Sequence, residues 1–384
     1  MKSRRTLGRV VIALGAVASL LVAVPANAAA DFYELPRFVP AGSGFQAKLA
    51  SEINYWTIEK LSASDNAGLN DDTVEYRTEA TPPPGGWDQL SAPWTGGGSV
   101  SRTVGRLFVR MRGTLLGDHI AGSCSANVVN AANKSTIVAA AHCFKVSSQL
   151  RGVPWGDDIA FEAVFIPGFN GASLVRDSHD QSLPGPDIAP YGVWGVTRAF
   201  YLGSWESHDN WLNGGDVAMA TVARPGDPTP IADVVGSQNI AFGVDTNPHH
   251  AYQFGYPVSN SNNWYWTKLT LAPEHLRRSY DGRTMMYAHG TTYDDAQLLG
   301  YGHDMLSAMA PGSSGGPWFI DFDPATGTGT QIAVTSRFTN EAGNALAAHP
   351  DNSVADWGRG PASVGGGFGT LSQAMYNHVK NTTP

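Results

Sequence analysis

The sequence predicts an all-β fold, and three observations carry that prediction: a surplus of turn-forming residues, a series of short apolar runs separated by turns, and a globular composition. The 384 residues include 44 glycines and 24 prolines, about 18% against an average near ~12%, which favours many turns yet stays below the ~25–30% of low-complexity chains. With 42% hydrophobic and 15% charged residues, the chain has enough apolar surface to bury a core, which excludes disorder as its main state. The runs Leu107–Met111, Ala126–Val129, Ile137–Ala140, Ala160–Ile166, Val217–Ala223 and Gln331–Ser336 have strand length and recur as they do in sandwiches or barrels. Near the C-terminus, Leu371, Ala374, Met375 and His378 fall at helical spacing and predict one closing amphipathic helix with the histidine at the surface.

Residues 1–28 read as a secretory signal peptide. Lys2, Arg4, Arg5 and Arg9 precede an uncharged run from Val10 to Val24, and Ala26-Asn27-Ala28 supplies a small-x-small cleavage site. The run is shorter than the ~20 residues that span a bilayer, so export is expected over anchoring, and no stable membrane association is expected of the rest. Residues 29–100 carry no chemical constellation. They end in a stretch holding Pro82-Pro83-Pro84-Gly85-Gly86 and Gly96-Gly97-Gly98, which resists regular structure. A pro-segment and linker, which would make the exported chain a zymogen, is the expectation for 29–100, with a small structural domain as the alternative, and residues 101–384 are expected to form the working domain. The net charge is −8 with no basic block after the first ten residues, which argues against nucleic acid as a partner.

Two cysteines, Cys124 and Cys143, in an exported chain point to one disulfide. Two sulfurs outside a C-x-x-C pair make a poor zinc site, so no metal is expected. His249-His250 is equally weak, because adjacent side chains on an extended chain point to opposite faces and no H-E-x-x-H is present.

Chemistry enters at Gly312-Ser313-Ser314-Gly315-Gly316-Pro317. A nucleophilic serine needs a backbone bent tightly enough to present its hydroxyl and to aim amide N–H groups at a developing oxyanion, and flanking glycines permit that. Gly312, Ser314 and Gly316 also satisfy the G-x-S-x-G elbow of α/β-hydrolases. That elbow, however, requires a helix directly after the serine, with the acid and histidine later in the chain, and Gly315-Gly316-Pro317 is a poor helix start. The reversed order fits better, with His142 of Ala140-Ala141-His142-Cys143 following an apolar strand well upstream.

In these residues the chain resembles the trypsin-like serine proteases of the chymotrypsin fold. That family carries its histidine in Ala-Ala-His-Cys, pairs the cysteine with one on the preceding strand, and carries its serine in Gly-x-Ser-Gly-Gly-Pro. Its acid lies between them in Asp-(Val/Ile)-Ala. Asp216-Val217-Ala218 is the preferred match, since an apolar strand continues after it, whereas Pro190 interrupts the run after Asp187-Ile188-Ala189; Asp158-Ile159-Ala160 is a third look-alike. The landmarks Phe165-Ile166-Pro167-Gly168-Phe169-Asn170, Pro190-Tyr191-Gly192 and Gly255-Tyr256-Pro257 are similar to those of the bacterial branch that holds the staphylococcal glutamyl endopeptidases and secreted actinobacterial peptidases. The similarity covers roughly residues 104–380. It departs from the family at Ala139, where threonine is usual, and at Ser313, where pancreatic members place the aspartate that captures the new N-terminus on activation.

The resemblance implies two antiparallel β-barrels with the active site in the cleft between them, a Cys124–Cys143 disulfide, and a secreted serine endopeptidase that needs no cofactor and acts on polypeptide substrates, expected as a monomer. It implies Ser314 as nucleophile, His142 as general base, Asp216 as the group orienting the imidazole, and the amides of Gly312 and Ser314 as oxyanion hole. It also places a specificity pocket at Ala308, Met309, Ser336 and Arg337. Ala308, six residues before the serine, offers no carboxylate to a substrate cation, so acidic or apolar side chains are expected there in preference to basic ones. An inactive binding homologue and an α/β-hydrolase esterase are the alternatives.

Overall fold

The computed structural model describes residues 32–66, 91–113, 117–146, 158–175, 178–208, 215–245, 248–258, 281–294, 302–307, 309, 311–339 and 362–384. The signal-peptide reading of residues 1–28 therefore lies outside the described residues. Strands dominate, and they form two sheets.

The first sheet is a barrel. Its strands are β3 (Val104–Gly113), β4 (Gly117–Val128), β5 (Thr136–Ala139), β7 (Asp158–Pro167), β8 (Trp194–Leu202) and β9 (Ala218–Ala223). They pair in the order β8-β9-β5-β4-β3-β7, and β7 returns to β8 through Val164↔Gly195 and Phe165↔Trp194, which closes the ring with every pairing antiparallel. Closure leaves no free edge in these six strands. Two short strands attach outside the ring, β1 (Phe32–Glu34) on β8 and β6 (Lys145–Val146) on β7. The interior is filled by aliphatic and aromatic side chains such as Leu107, Val128, Ile137, Phe165, Trp194, Phe200 and Met219. All four residues of β5 are buried, as its position between β4 and β9 requires of a Thr-Ile-Val-Ala run.

The second sheet comprises β2 (Ala92–Pro93), β10 (Asn239–Ile240), β11 (His250–Gly255), β12 (Met286–Thr291), β13 (Tyr293–Asp294), β14 (Gly302–Leu306), β15 (Pro317–Asp323), β16 (Thr328–Thr339) and β17 (Ala362–Gly367). Its path runs β13-β14-β17-β16-β15-β11-β12-β2, with β10 parallel to β16. Here the expectation of two barrels is corrected. Among the described residues no pairing joins the ends of this path, so one closed six-stranded barrel stands beside an open sheet. A physical reason is visible at the β2 end. The strand β2 is two residues long and contains Pro93, which lacks the amide hydrogen a further ladder would need.

Helices qualify the all-β expectation as well. α1 (Phe45–Tyr55) and α2 (Ile58–Asn66) precede the barrel, short turns α3 (Val100–Thr103), α4 (Gly203–His208) and α5 (Ile231–Val235) connect strands, and α6 (Thr370–Val379) closes the chain. α6 packs on β8 and β9. Its buried face is Ser372, Met375 and Val379, whereas Leu371 is exposed and His378 lies at the surface with its ring against Phe32 and Phe200. Among the described residues no helix is long and apolar enough to cross a membrane.

Candidate active site

His142 lies in a 3₁₀ turn, Ala141–Cys143, directly after β5. The turn is held by Cys143 N–H to Ala140 O at 3.2 Å and Phe144 N–H to Ala141 O at 2.9 Å. A disulfide from Cys143 to Cys124 ties it to β4. Closing a loop with a sequence separation of 19 restricts the unfolded chain by about 3 kcal/mol on the loop-entropy account.

Asp216 reaches the same place from β9. The β5/β9 ladder ends on the pair Ala139↔Ala218, so the residues just after β5 and just before β9 meet. Asp216 Oδ2 lies 2.7 Å from His142 Nδ1, and Oδ1 accepts the His142 backbone N–H at 2.8 Å. A third donor comes from the open sheet, Ser336 Oγ–H to Asp216 Oδ2 at 2.6 Å. The carboxylate is 2% exposed; burial of a charge is costly unless donors meet its oxygens, and these three do. Ser336 is the extra residue where the β16/β17 register slips between Thr335 and Arg337, and a bulge of this kind re-aims one side chain. Of the other carboxylates matching the motif, Asp187 is exposed in a turn, and Asp158 opens β7 opposite Val146.

Ser314 sits half-buried in the turn between Pro311 and Gly316. Two glycines make that turn possible. Gly312 has φ +94 and Gly315 φ +79, and a Cβ would stand 2.6 Å from Tyr256 O in the first and 2.4 Å from Ser125 O in the second. Backbone bonds pin the turn on both sides: Gly315 N–H to Thr335 O at 2.7 Å, Thr335 N–H to Gly316 O at 2.8 Å, and Ser125 N–H to Ser314 O at 2.7 Å. Ser314 O is also 3.9 Å from Cys143 Sγ. The Ser314 turn thus lies against the residue that follows His142, on the side of the barrel where His142 meets Asp216.

Sequence reasoning missed Ser125. Its buried hydroxyl donates to Gly312 O at 2.9 Å and accepts Tyr256 N–H at 2.9 Å, joining the barrel to the serine turn. Burial holds the Tyr256 phenol well above its usual pKa, and its hydroxyl donates to Phe169 O at 3.0 Å. Nothing local in the sequence marks Ser125, because its partners lie 187 and 131 residues away.

The expected specificity residues are placed unevenly. Ala308 lies outside the described residues. Met309 is buried, with Ser91 Oγ 3.6 Å from its sulfur. Ser336, expected in a pocket wall, gives its hydroxyl to Asp216, and Arg337 stands in β16 opposite Val364. Behind them runs a buried polar chain, Ser307 Oγ to Gln253 Oε1 at 2.7 Å and Gln253 Nε2 to Thr335 Oγ1 at 2.9 Å.

Cys124, His142 and Cys143 have potential ligand atoms within 4.8 Å of one another, but both sulfurs are bonded to each other and neither is available as a thiolate. His250 opens β11 at the surface, its ring beside His289, while His249 Nε2 lies 3.1 Å from Asp245 Oδ1.

No family model and no curated protein matches the chain. Among solved structures it is similar to the protease Anisep from Arthrobacter nicotinovorans, with 24% identity over 73% of this chain and 96% of that one and a TM-score of 0.49. It is also similar to the thermostable serine protease AL20 from an extremophilic microorganism, at 23% identity over 74% and 100% with a TM-score of 0.48. A Glu endopeptidase in complex with MPD shares 12% identity over 77% and 98% with a TM-score of 0.46. Each TM-score is below one half, so these stand as likenesses only, and the functional reading rests on the chain's own geometry.

Proposed function

We propose that the chain is an exported serine endopeptidase in which Ser314, His142 and Asp216 act as nucleophile, general base and orienting acid. The observation that carries the reading is the 2.7 Å contact between His142 Nδ1 and Asp216 Oδ2, beside a serine held in a glycine-flanked turn. A carboxylate at Nδ1 keeps the proton on that nitrogen and leaves Nε2 to accept one.

In this reading Ser314 Oγ attacks the substrate carbonyl carbon and its proton passes to His142 Nε2. The oxyanion is received by the amides of Gly312 and Ser314, whose carbonyls are already engaged by Ser125. Collapse breaks the C–N bond, and the amine leaves with the proton from His142. Water then adds to the acyl-enzyme by the same route and releases the acid. No metal or cofactor enters these steps. Antiparallel ladders, in place of the parallel sheet of α/β-hydrolases, favour protease over esterase.

Substrates are polypeptides with an acidic or apolar side chain on the acyl side of the cut, because Ala308 supplies no carboxylate for a cation. Export rests on the character of residues 1–28 and on the disulfide, which persists in oxidising surroundings. The chain is taken to act as a monomer. Ser314→Ala and His142→Ala each test the reading: casein hydrolysis should fall by on the order of 10⁶-fold with the fold retained. Retention of turnover in either variant overturns it, and dominant cleavage of a peptide library after Arg or Lys overturns the pocket assignment.

A further inference from the structure

The segment ahead of the barrel is built into it. β1 pairs with β8 as Phe32↔Leu202, Tyr33↔Tyr201 and Glu34↔Phe200, and the backbone contact continues with Leu35 N–H to Ala199 O at 2.9 Å. Glu34 receives the Arg198 guanidinium as a fork, at 2.6 and 2.8 Å. Leu35, Phe38, Val39 and Leu49 belong to the same apolar cluster as the barrel interior. Ile53, Trp56 and Leu61 join a second cluster with Phe108, Val164 and Ile166, and Trp56 is fully buried. Lys48 of α1 lies 2.5 Å from Glu162 of β7. A segment destined for removal would leave these seven apolar side chains' partners open to water.

One of these contacts lies beside the candidate site. Phe38, 2% exposed, packs its ring against Phe144, 0% exposed, with centroids 6.2 Å apart. Phe144 ends the 3₁₀ turn that holds His142, and its carbonyl accepts Ala160 N–H from β7 at 2.8 Å. Its backbone is therefore fixed by β7, and its ring meets the ring supplied by the leading segment. The segment thus reaches the candidate site through Phe144, which caps the turn carrying His142.

We propose that residues 32–66 remain in the working enzyme and that Phe38 is a positioning residue, acting through Phe144 on the turn that carries His142. The proposal rests on the serine-protease reading and deepens it. It departs from the expectation of a removable pro-segment, and it places any maturation cut before Phe32 or within 67–90.

The test uses the full chain secreted into medium and a fluorophosphonate probe. The probe-labelled species, sequenced from its N-terminus, should begin before Phe32, or should hold a 32–66 fragment bound through denaturant-free chromatography. A fully reactive labelled species lacking 32–66 overturns retention. For positioning, Phe38→Ala should lower the limiting rate of fluorophosphonate inactivation about tenfold, with the half-saturating probe concentration within about twofold of the parent, and Phe38→Leu should restore most of the rate. Leu61→Ala, in the same segment but away from the turn, should lower the melting temperature and leave that rate unchanged. If Phe38→Ala and Leu61→Ala behave alike, Phe38 is structural only and the positioning claim fails. Failure of the underlying reading is distinguishable, since the probe would then label no residue, or one other than Ser314, in the parent itself.

Discussion

The closed barrel and the open sheet divide the work of the candidate site. The barrel contributes His142 and Asp216 from the ends of two neighbouring strands, and their meeting follows from the β5/β9 register and a 3₁₀ turn, with no positive-φ residue. The open sheet contributes Ser314 from a turn with two positive-φ glycines, held by bonds from β4 and β16. The His142–Asp216 contact is thus inherited from strand pairing, whereas the Ser314 turn is built on two positive-φ positions that glycine adopts freely. The comparison teaches that the two halves should fail differently when altered.

After His142→Ala, the largest effect in the barrel half should come from Asp216→Asn. It keeps the shape but loses the tautomer control, and turnover should fall by about 10⁴-fold, while Asp187→Asn, at an exposed turn, should leave it within about twofold. Steady-state hydrolysis of casein reads both, and the opposite ranking would move the acid elsewhere. Next in size is Ser336→Ala, which removes the side-chain bond crossing from the open sheet to Asp216. A hydrogen bond to a charged group is worth ~1.5–3 kcal/mol, so a loss of roughly 10–100-fold in kcat/KM is expected. An unchanged kcat/KM would show that the barrel sets the acid unaided.

The disulfide belongs to the barrel side of the comparison. The double variant Cys124→Ser, Cys143→Ser should lose about 3 kcal/mol of stability in denaturant titration, and non-reducing mass spectrometry of the parent should find no free thiol. Smallest is the effect of Glu52. Its side chain is fully buried on α1 beside Gly195 of β8, facing Lys48 from its own helix and Glu162 from β7, the latter also paired with Lys48 and Arg110. Burial raises its pKa from 4.5 to about 8, with Glu162 adding and Lys48 opposing. The folded chain therefore binds this proton more tightly than the unfolded one, so its contribution to stability is fully present below about 4.5 and is lost as pH rises through about 8. Glu52→Gln should melt at a higher temperature than the parent at pH 8, by a few degrees, and the gap should close towards pH 4. A gap independent of pH would contradict the assignment.

Legibility in the sequence follows the same division. The six apolar runs fall in β3, β4, β5, β7, β9 and β16, five of them barrel strands whose side chains are buried and whose composition is plain. The open sheet was harder to read, because β17 is Ala-Ser-Val-Gly-Gly-Gly and β2 is Ala-Pro, compositions that argue against strands. Two barrels were expected from the resemblance, and motifs around a site carry no information on whether the far ends of a sheet pair. The residues proposed as a triad stand in recognisable local patterns. Ser125 and the hydroxyl of Ser336 do not, since each acts through register or a bulge that only the assembled sheets create. The ordered packing of residues 32–66 was equally hidden, because α1 and α2 gain their apolar contacts from strands far along the chain.

The central claim is that Ser314 is a nucleophile activated by the barrel's histidine. Its most direct test is fluorophosphonate labelling of the purified protein, followed by peptide mapping in parent and His142→Ala chains. The account predicts one adduct, on Ser314, formed rapidly in the parent and slowed by at least about 10³-fold in His142→Ala. An adduct on another residue, or labelling of Ser314 that does not depend on His142, would contradict it.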